Sequence, residues 1–248
     1  MSETTIPLPA RPARASTSAI GRAVAPRQAL VRPAFSWSIW LAPAAFLAAG
    51  VAALGIDLAV AAQCRARIMP SFVKEILYHA ESFGHAVGVI LILVGTVQID
   101  RRNWTRLPRL ISCSLGAGLA ANVIKLLVSR TRPNALPPET QSALATFGEL
   151  LPGLRPASQQ SFPSAHTSTA VGLAVALSAS YPGGRLFFAA MAFLCAMHRV
   201  NGCAHFVSDV CVGAAVGWIV SSWCLRAPAF DRLEQKLAAK WEGRAIAE

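Results

Sequence analysis

Apolar positions along the chain run in long stretches instead of alternating with polar ones. A helix that crosses a bilayer needs roughly 20 mostly apolar residues, and six stretches approach that length. They are 37–60, uncharged until Asp57; 82–99; 110–128; 164–181; 186 to about 200; and 205–225. The fifth is the shortest, its uncharged part ending at His198, with Arg185 placed to snorkel at one end and Arg199 to face a polar cavity at the other. The pattern predicts an all-α fold, a six-transmembrane-helix bundle over residues 35–226. A long extracytoplasmic loop is expected between helices 3 and 4, where six prolines fall within residues 129–163.

Composition agrees with this class. The 248 residues are 54% hydrophobic and 14% charged, with mean hydropathy +0.47, against roughly a quarter charged in soluble domains. Residues 1–34 carry Arg11, Arg14, Arg22, Arg27 and Arg32 against Glu3, and read as a disordered basic tail. Its Arg-rich, acid-poor character also fits a transit peptide, while the apolar segment after it works as an uncleaved signal anchor.

The formal net charge is +11, and its distribution sets orientation. With a cytoplasmic amino terminus, fifteen of the 23 Lys and Arg fall on the inner side, as the positive-inside bias requires. Both termini are therefore expected in the cytoplasm, and the charge reads as topology and contact with anionic lipid head groups, not nucleic acid. The last segment, 227–248, has amphipathic spacing; it either lies on the inner membrane surface or forms a solvated helix. The six cysteines show no C-x-x-C spacing, so neither a metal site nor a disulfide framework is assigned.

That orientation has a chemical consequence. Spans three to six all carry polar or ionisable residues at their outer ends: Lys125; Ser164 and His166; Arg199; His205 and Asp209. Ionisable groups at membrane depth cost at least ~2.5 kcal/mol each, so they face one another or a wet cavity. His205 and Asp209, spaced i to i+4, share a helix face, and a carboxylate there can hold one imidazole nitrogen protonated; such a pair is structural more often than catalytic. Lys125, Arg132 and Arg199 taken singly read as snorkelling charges; three cations aimed at one pocket beside two histidines need an anion, and phosphate suits them. Ser164 and Ala165 open a helix, where backbone N–H groups favour an anion.

These residues form a recognisable set. "KLLVSRTRP" (Lys125 to Pro133), "PSAH" (Pro163 to His166) and "RVNGCAHFVSD" (Arg199 to Asp209) resemble the three-part signature of the type-2 phosphatidic acid phosphatases, which share their site with bacterial acid phosphatases and vanadium haloperoxidases. The usual form is K-x6-R-P, then P-S-G-H, then S-R-x5-H-x3-D, and all spacings fit. Two positions depart from it: Ala165 replaces Gly and His198 replaces Ser.

The resemblance implies a metal-independent lipid phosphatase without a cofactor, in a bacterial inner membrane, and the charge distribution turns its site to the exterior. By it, His205 is the nucleophile, Asp209 orients it and His166 is the acid and then the base. Lys125, Arg132, Arg199, the Ser164 hydroxyl and the Ser164 and Ala165 amides hold the phosphoryl oxygens. The substrates it implies are undecaprenyl pyrophosphate, phosphatidylglycerol phosphate, phosphatidic acid or lipid A 1-phosphate. A phosphotransferase using an acceptor hydroxyl is the alternative within the family, and a non-catalytic lipid-binding or transport protein the alternative outside it. Two further readings stay open: His79, Glu81 and His85 touch a head group or form an interfacial polar cluster, and Arg130 and Arg155 read a second phosphate or coat the loop.

Overall fold

The first apolar run ends where a charge enters it, at Asp57. Helix α1 (Ser38–Ala53) stops there, residues 54–56 close a tight turn of i to i−3 hydrogen bonds, and α2 (Asp57–Arg65) leaves at 73° to it. The cause is the carboxylate: Asp57 is 1% exposed, and a buried charge must find partners. The computed structural model describes residues 38–66 and 68–247; the basic tail expected over 1–34 lies outside the described residues.

The second apolar run is likewise bent. Helix α3 (Ser71–Ala80), which the hydropathy pattern does not single out, continues through a 3-10 turn, Glu81–Phe83, and α4 (Ala86–Ile99) departs at 70°. Then follow α5 (Leu107–Lys125), α6 (Ala165–Ser180), α7 (Arg185–Asn201), α8 (Val207–Arg226) and α9 (Pro228–Ala247).

Among the described residues, two helices are long and apolar enough to cross a bilayer, Asn103–Lys125 and Val207–Arg226, and the two bent pairs would make four spans. Helices α6 and α7 have 16 and 17 residues, about 25 Å at 1.5 Å per residue, short of a straight crossing of an apolar layer about 30 Å thick. All six apolar stretches contain helix, but the expectation of six plain spans is met only in part, because the first two runs belong to bent helix pairs and α6 and α7 are short.

Helices α5, α6 and α8 form the centre, with α1 against α8 and α7 against α6. Leu93, Leu110, Cys113, Leu173, Leu177, Cys195 and Leu225 fill the core. The outward faces stay apolar: Leu41, Val51, Leu91, Leu119, Phe187, Phe193 and Trp223 are exposed, as expected of side chains that meet lipid tails.

At the end of the bundle opposite the Lys125 terminus of α5, one arginine fastens α9. Arg109 is fully buried and donates to Asp231 Oδ1 at 2.6 Å, Glu234 Oε1 at 2.6 Å and the Leu225 carbonyl at 2.7 Å. The segment expected to be amphipathic is thus a docked helix. Replacing Arg109 with Met should destabilise the solubilised protein by about 3 kcal/mol, because it strands two carboxylates. Amide hydrogen exchange should rise first within 228–241; uniform protection there would contradict the assignment.

Candidate active site

The stretch between α5 and α6 is pinned down residue by residue. Strands β1 (Val128–Arg130) and β2 (Phe147–Leu150) pair antiparallel, the Arg132 amide donates to the Ser158 carbonyl at 2.7 Å, and the Ser161 amide donates to the Arg130 carbonyl at 3.0 Å. These bonds bring Arg130, Arg132 and Ser161 over the starts of α6 and α8.

Arg130 is fully buried. Its Nη2 lies 2.8 Å from Asp57 Oδ2 and its Nη1 lies 2.6 Å from Asp209 Oδ1; it also donates to Ser208 Oγ at 2.7 Å and Thr146 Oγ1 at 2.9 Å. The guanidinium carbon sits 4.3 Å and 4.1 Å from the ring centroids of Phe147 and Phe206. Both readings left open for Arg130 are therefore replaced, since it is an internal ion-pair hub and not a surface group. Arg155 is the surface group, paired with Glu149 at 2.5 Å in an exposed position.

Asp209, with no exposed surface, also accepts from Ser161 Oγ at 2.6 Å and from the Phe206 amide at 2.8 Å. That leaves its Oδ2 3.8 Å from His205 Nδ1, beyond hydrogen-bond reach. The expected direct Asp209 to His205 bond is thus absent: the carboxylate is drawn back to the start of its own helix and to Arg130. The imidazole is instead fixed by the Ser161 carbonyl, 2.6 Å from Nδ1. A carbonyl only accepts, so Nδ1 carries the proton and Nε2 holds the lone pair. His205 is 2% exposed, so that lone pair is oriented in a nearly dry site.

Ser164 caps α6 and is fully buried. Its amide donates to the Asp209 carbonyl at 3.1 Å and its Oγ accepts from the Thr167 hydroxyl at 2.9 Å. The Ser164 amide, expected to meet an anion, is therefore engaged elsewhere, which leaves the amides of Ala165 and His166 as first-turn donors that no i−4 carbonyl can satisfy. Gly213 permits this contact between α6 and α8, because a Cβ there would lie 2.6 Å from the Ser164 carbonyl oxygen.

The three expected cations converge. Lys125, at the end of α5, is 7% exposed and lies within electrostatic reach of Arg132, Asp209 and Arg199. Burial and the neighbouring Arg199 lower the proton affinity of Arg132, outside the helices. The Nε groups of Arg132 and Arg199 are buried without a hydrogen-bond partner, an arrangement that an oxyanion with several acceptors would satisfy. His166 enters from α6, its ring 5.8 Å from that of His85. His198, one residue before Arg199, places Nδ1 3.6 Å from Glu81 Oε2.

The structure thus brings together all eight residues expected at the site and adds Arg130, Asp57, Ser161 and Glu81. Glu81 is already read from the sequence, with His79 and His85, as a head-group contact or an interfacial polar cluster, and two others left a trace in the sequence. Asp57 is a lone carboxylate closing an apolar run, which demands a cation, and Arg130 lies two residues before Arg132 in an extended segment, where side chains two apart share a face. Ser161 acts through its carbonyl and leaves no signal.

The fold and the site define a helical membrane protein with an anion pocket beside two histidines. The profile of the PAP2 superfamily matches residues 107–232, just over half of the chain, and the chain belongs to that superfamily. It is similar to the lipid A 1-phosphatases of Rhizobium johnstonii and Rhizobium etli, 33% identical over 101 residues. That stretch is 41% of this chain and 39% and 41% of theirs, so the match spans about two fifths of those relatives. The fold is shared with the transmembrane PAP2 type phosphatidylglycerolphosphate phosphatase from Bacillus subtilis, with TM-score 0.52 at 20% identity over 79% of this chain and 94% of that one.

Two substitutions test the framework. Arg130→Met should cost at least about 3 kcal/mol, because it leaves Asp57 and Asp209 buried without a countercharge; Arg130→Lys should fall between, since one ammonium cannot bridge four acceptors. Gly213→Ala should cost about 1–3 kcal/mol by forcing α6 and α8 apart at Ser164. Thermal unfolding in detergent measures all three.

Proposed function

We propose that the protein is an integral membrane phosphatase that removes phosphate from a lipid through a phosphohistidine at His205. The observation that carries this reading is the tautomer lock, in which the Ser161 carbonyl holds Nδ1–H and leaves Nε2 with a lone pair, beside arginines whose buried Nε groups have no hydrogen-bond partner.

In the first half-reaction His205 Nε2 attacks phosphorus, the bond from phosphorus to the lipid oxygen breaks, and that oxygen leaves with a proton from His166. Lys125, Arg132, Arg199 and the amides of Ala165 and His166 hold the equatorial oxygens, and the Ser164 hydroxyl proton can add to them. Asp209 stabilises the imidazolium at 3.8 Å through space. In the second half-reaction water gives its proton to His166 and its oxygen to phosphorus, and the N–P bond breaks to release phosphate. The fixed cations provide the charge that metal ions provide in other phosphoryl transfer enzymes.

Among the four lipid classes implied by the sequence, lipid A 1-phosphate is placed first, supported by the names of the two Rhizobium relatives. Phosphatidylglycerol phosphate comes next, by the fold neighbour's title. A site facing the exterior, with cytoplasmic termini, is supported by the distribution of Lys and Arg.

Purified protein presented with a panel of these lipid phosphates should release inorganic phosphate from at least one, in EDTA, with inhibition by vanadate. His205→Ala should lower release on the order of 10³-fold or more and abolish acid-labile radiophosphate labelling; a labelled, active His205→Ala enzyme would sink the reading. The rate should be bell-shaped in pH, because one histidine must start neutral and the other protonated.

A further inference from the structure

One carboxylate stands inside the cationic pocket with no role in the chemistry above. Glu81 opens the 3-10 turn at the bend between α3 and α4. Its Oε1 accepts from Arg199 Nη1 at 2.5 Å and lies 3.5 Å from His166 Nε2, while its Oε2 lies 3.6 Å from His198 Nδ1. Gly84 makes this placement possible, since a Cβ there would lie 2.4 Å from the His166 carbonyl oxygen and 2.6 Å from Cys195 Sγ. The turn therefore rests directly on the first turn of α6 and on α7.

An acidic side chain among phosphate-binding cations opposes an incoming dianion, so its presence needs a compensating reason. His166 supplies one. The reaction requires it to begin protonated, yet the groups that face it are Arg199 on α7, His205 before α8, Lys125 on α5 and His85 before α4. Among the described residues at this contact, Glu81 is the group of opposite charge. Its own surroundings are Arg199, His166 and His198, with the Cys195 thiol against its backbone carbonyl at 3.9 Å. An imidazolium has two N–H groups; one can face Glu81 while the other serves the departing oxygen.

We propose that Glu81 is a positioning residue for the proton donor: anchored by Arg199, its carboxylate orients His166 and supplies the countercharge with which His166 carries a proton to the leaving lipid oxygen. This rests on the phosphatase reading above. It also gives His198 a place at the position where the family signature usually has Ser, because its Nδ1 faces the second oxygen of the same carboxylate at 3.6 Å.

The test is Glu81→Gln, which keeps an accepting oxygen for Arg199 and removes the charge. An opposite charge at this range shifts a titration by about one pH unit or more, so the alkaline limb of the kcat profile should move down by about one pH unit. At the wild-type optimum kcat should fall about ten- to a hundred-fold, whereas KM should stay level or fall because repulsion of the phosphate is removed. Glu81→Asp should return the limb toward its wild-type position. Wild-type vanadate affinity in Glu81→Gln would report an intact pocket.

A Glu81→Gln enzyme with the wild-type alkaline limb overturns the inference, and so does one that loses thermal stability with an unchanged profile. Those outcomes leave the phosphatase reading standing, provided the wild type releases phosphate and takes label at His205. A wild type that does neither overturns both.

Discussion

A single buried guanidinium holds the catalytic end of the molecule together. Arg130 joins Asp57, at the bend after α1, to Asp209, in the first turn of α8, and does so between two aromatic rings with no water contact. The side chain is planar and forked, so it can engage both carboxylates and two hydroxyls at once. Three distant stretches of sequence thereby share one charge balance. Breaking such a pair from one side leaves an uncompensated charge, the costliest kind of local change. The bend in the first apolar run, the path of the proline-rich stretch and the start of α8 are consequences of one ion-pair cluster.

That cluster also determines how His205, the proposed nucleophile, is held. If Asp209 bonded His205 directly, the imidazole would share its partner with Arg130. Instead Asp209 is saturated by Arg130, Ser161 Oγ and the Phe206 amide, and the Ser161 carbonyl accepts the hydrogen bond from the imidazole Nδ1–H. Ser161 thus serves Asp209 with its hydroxyl and His205 with its carbonyl. The carboxylate acts on the ring through space, and the orientation comes from backbone, which cannot rotate away.

Much of this was legible beforehand, because hydropathy and motif spacing are local properties. The apolar runs located helices, and the three-part signature located eight site residues that the fold does gather. What stayed hidden is what depends on partners. A run such as 37–60 shows its length but not that Asp57 bends it by 73° toward Arg130. Residue spacing placed Asp209 one turn from His205 yet could not reveal the Phe206 amide competing for its oxygen. The Ser164 amide looked available at a helix start, and packing against α8 gave it to the Asp209 carbonyl. Backbone acceptors and tertiary competition have no residue-type signature.

The two sides of the pocket differ in what they can vary. On one side stand Lys125, Arg132, His205 and the α6 amides, the groups proposed to hold and attack the phosphoryl group. The other side is built by the bent α3 to α4 turn, where Glu81, His79 and His85 stand on an element that touches the core through Gly84. That turn can change its side chains without disturbing the Arg130 cluster, because none of its residues bonds to Asp57, Arg130 or Asp209 among the contacts described. The pocket thus rests on two separate supports: the Arg130 cluster fixes Asp209 and, through Ser161, His205, while the α3 to α4 turn meets Arg199 and His166 through Glu81.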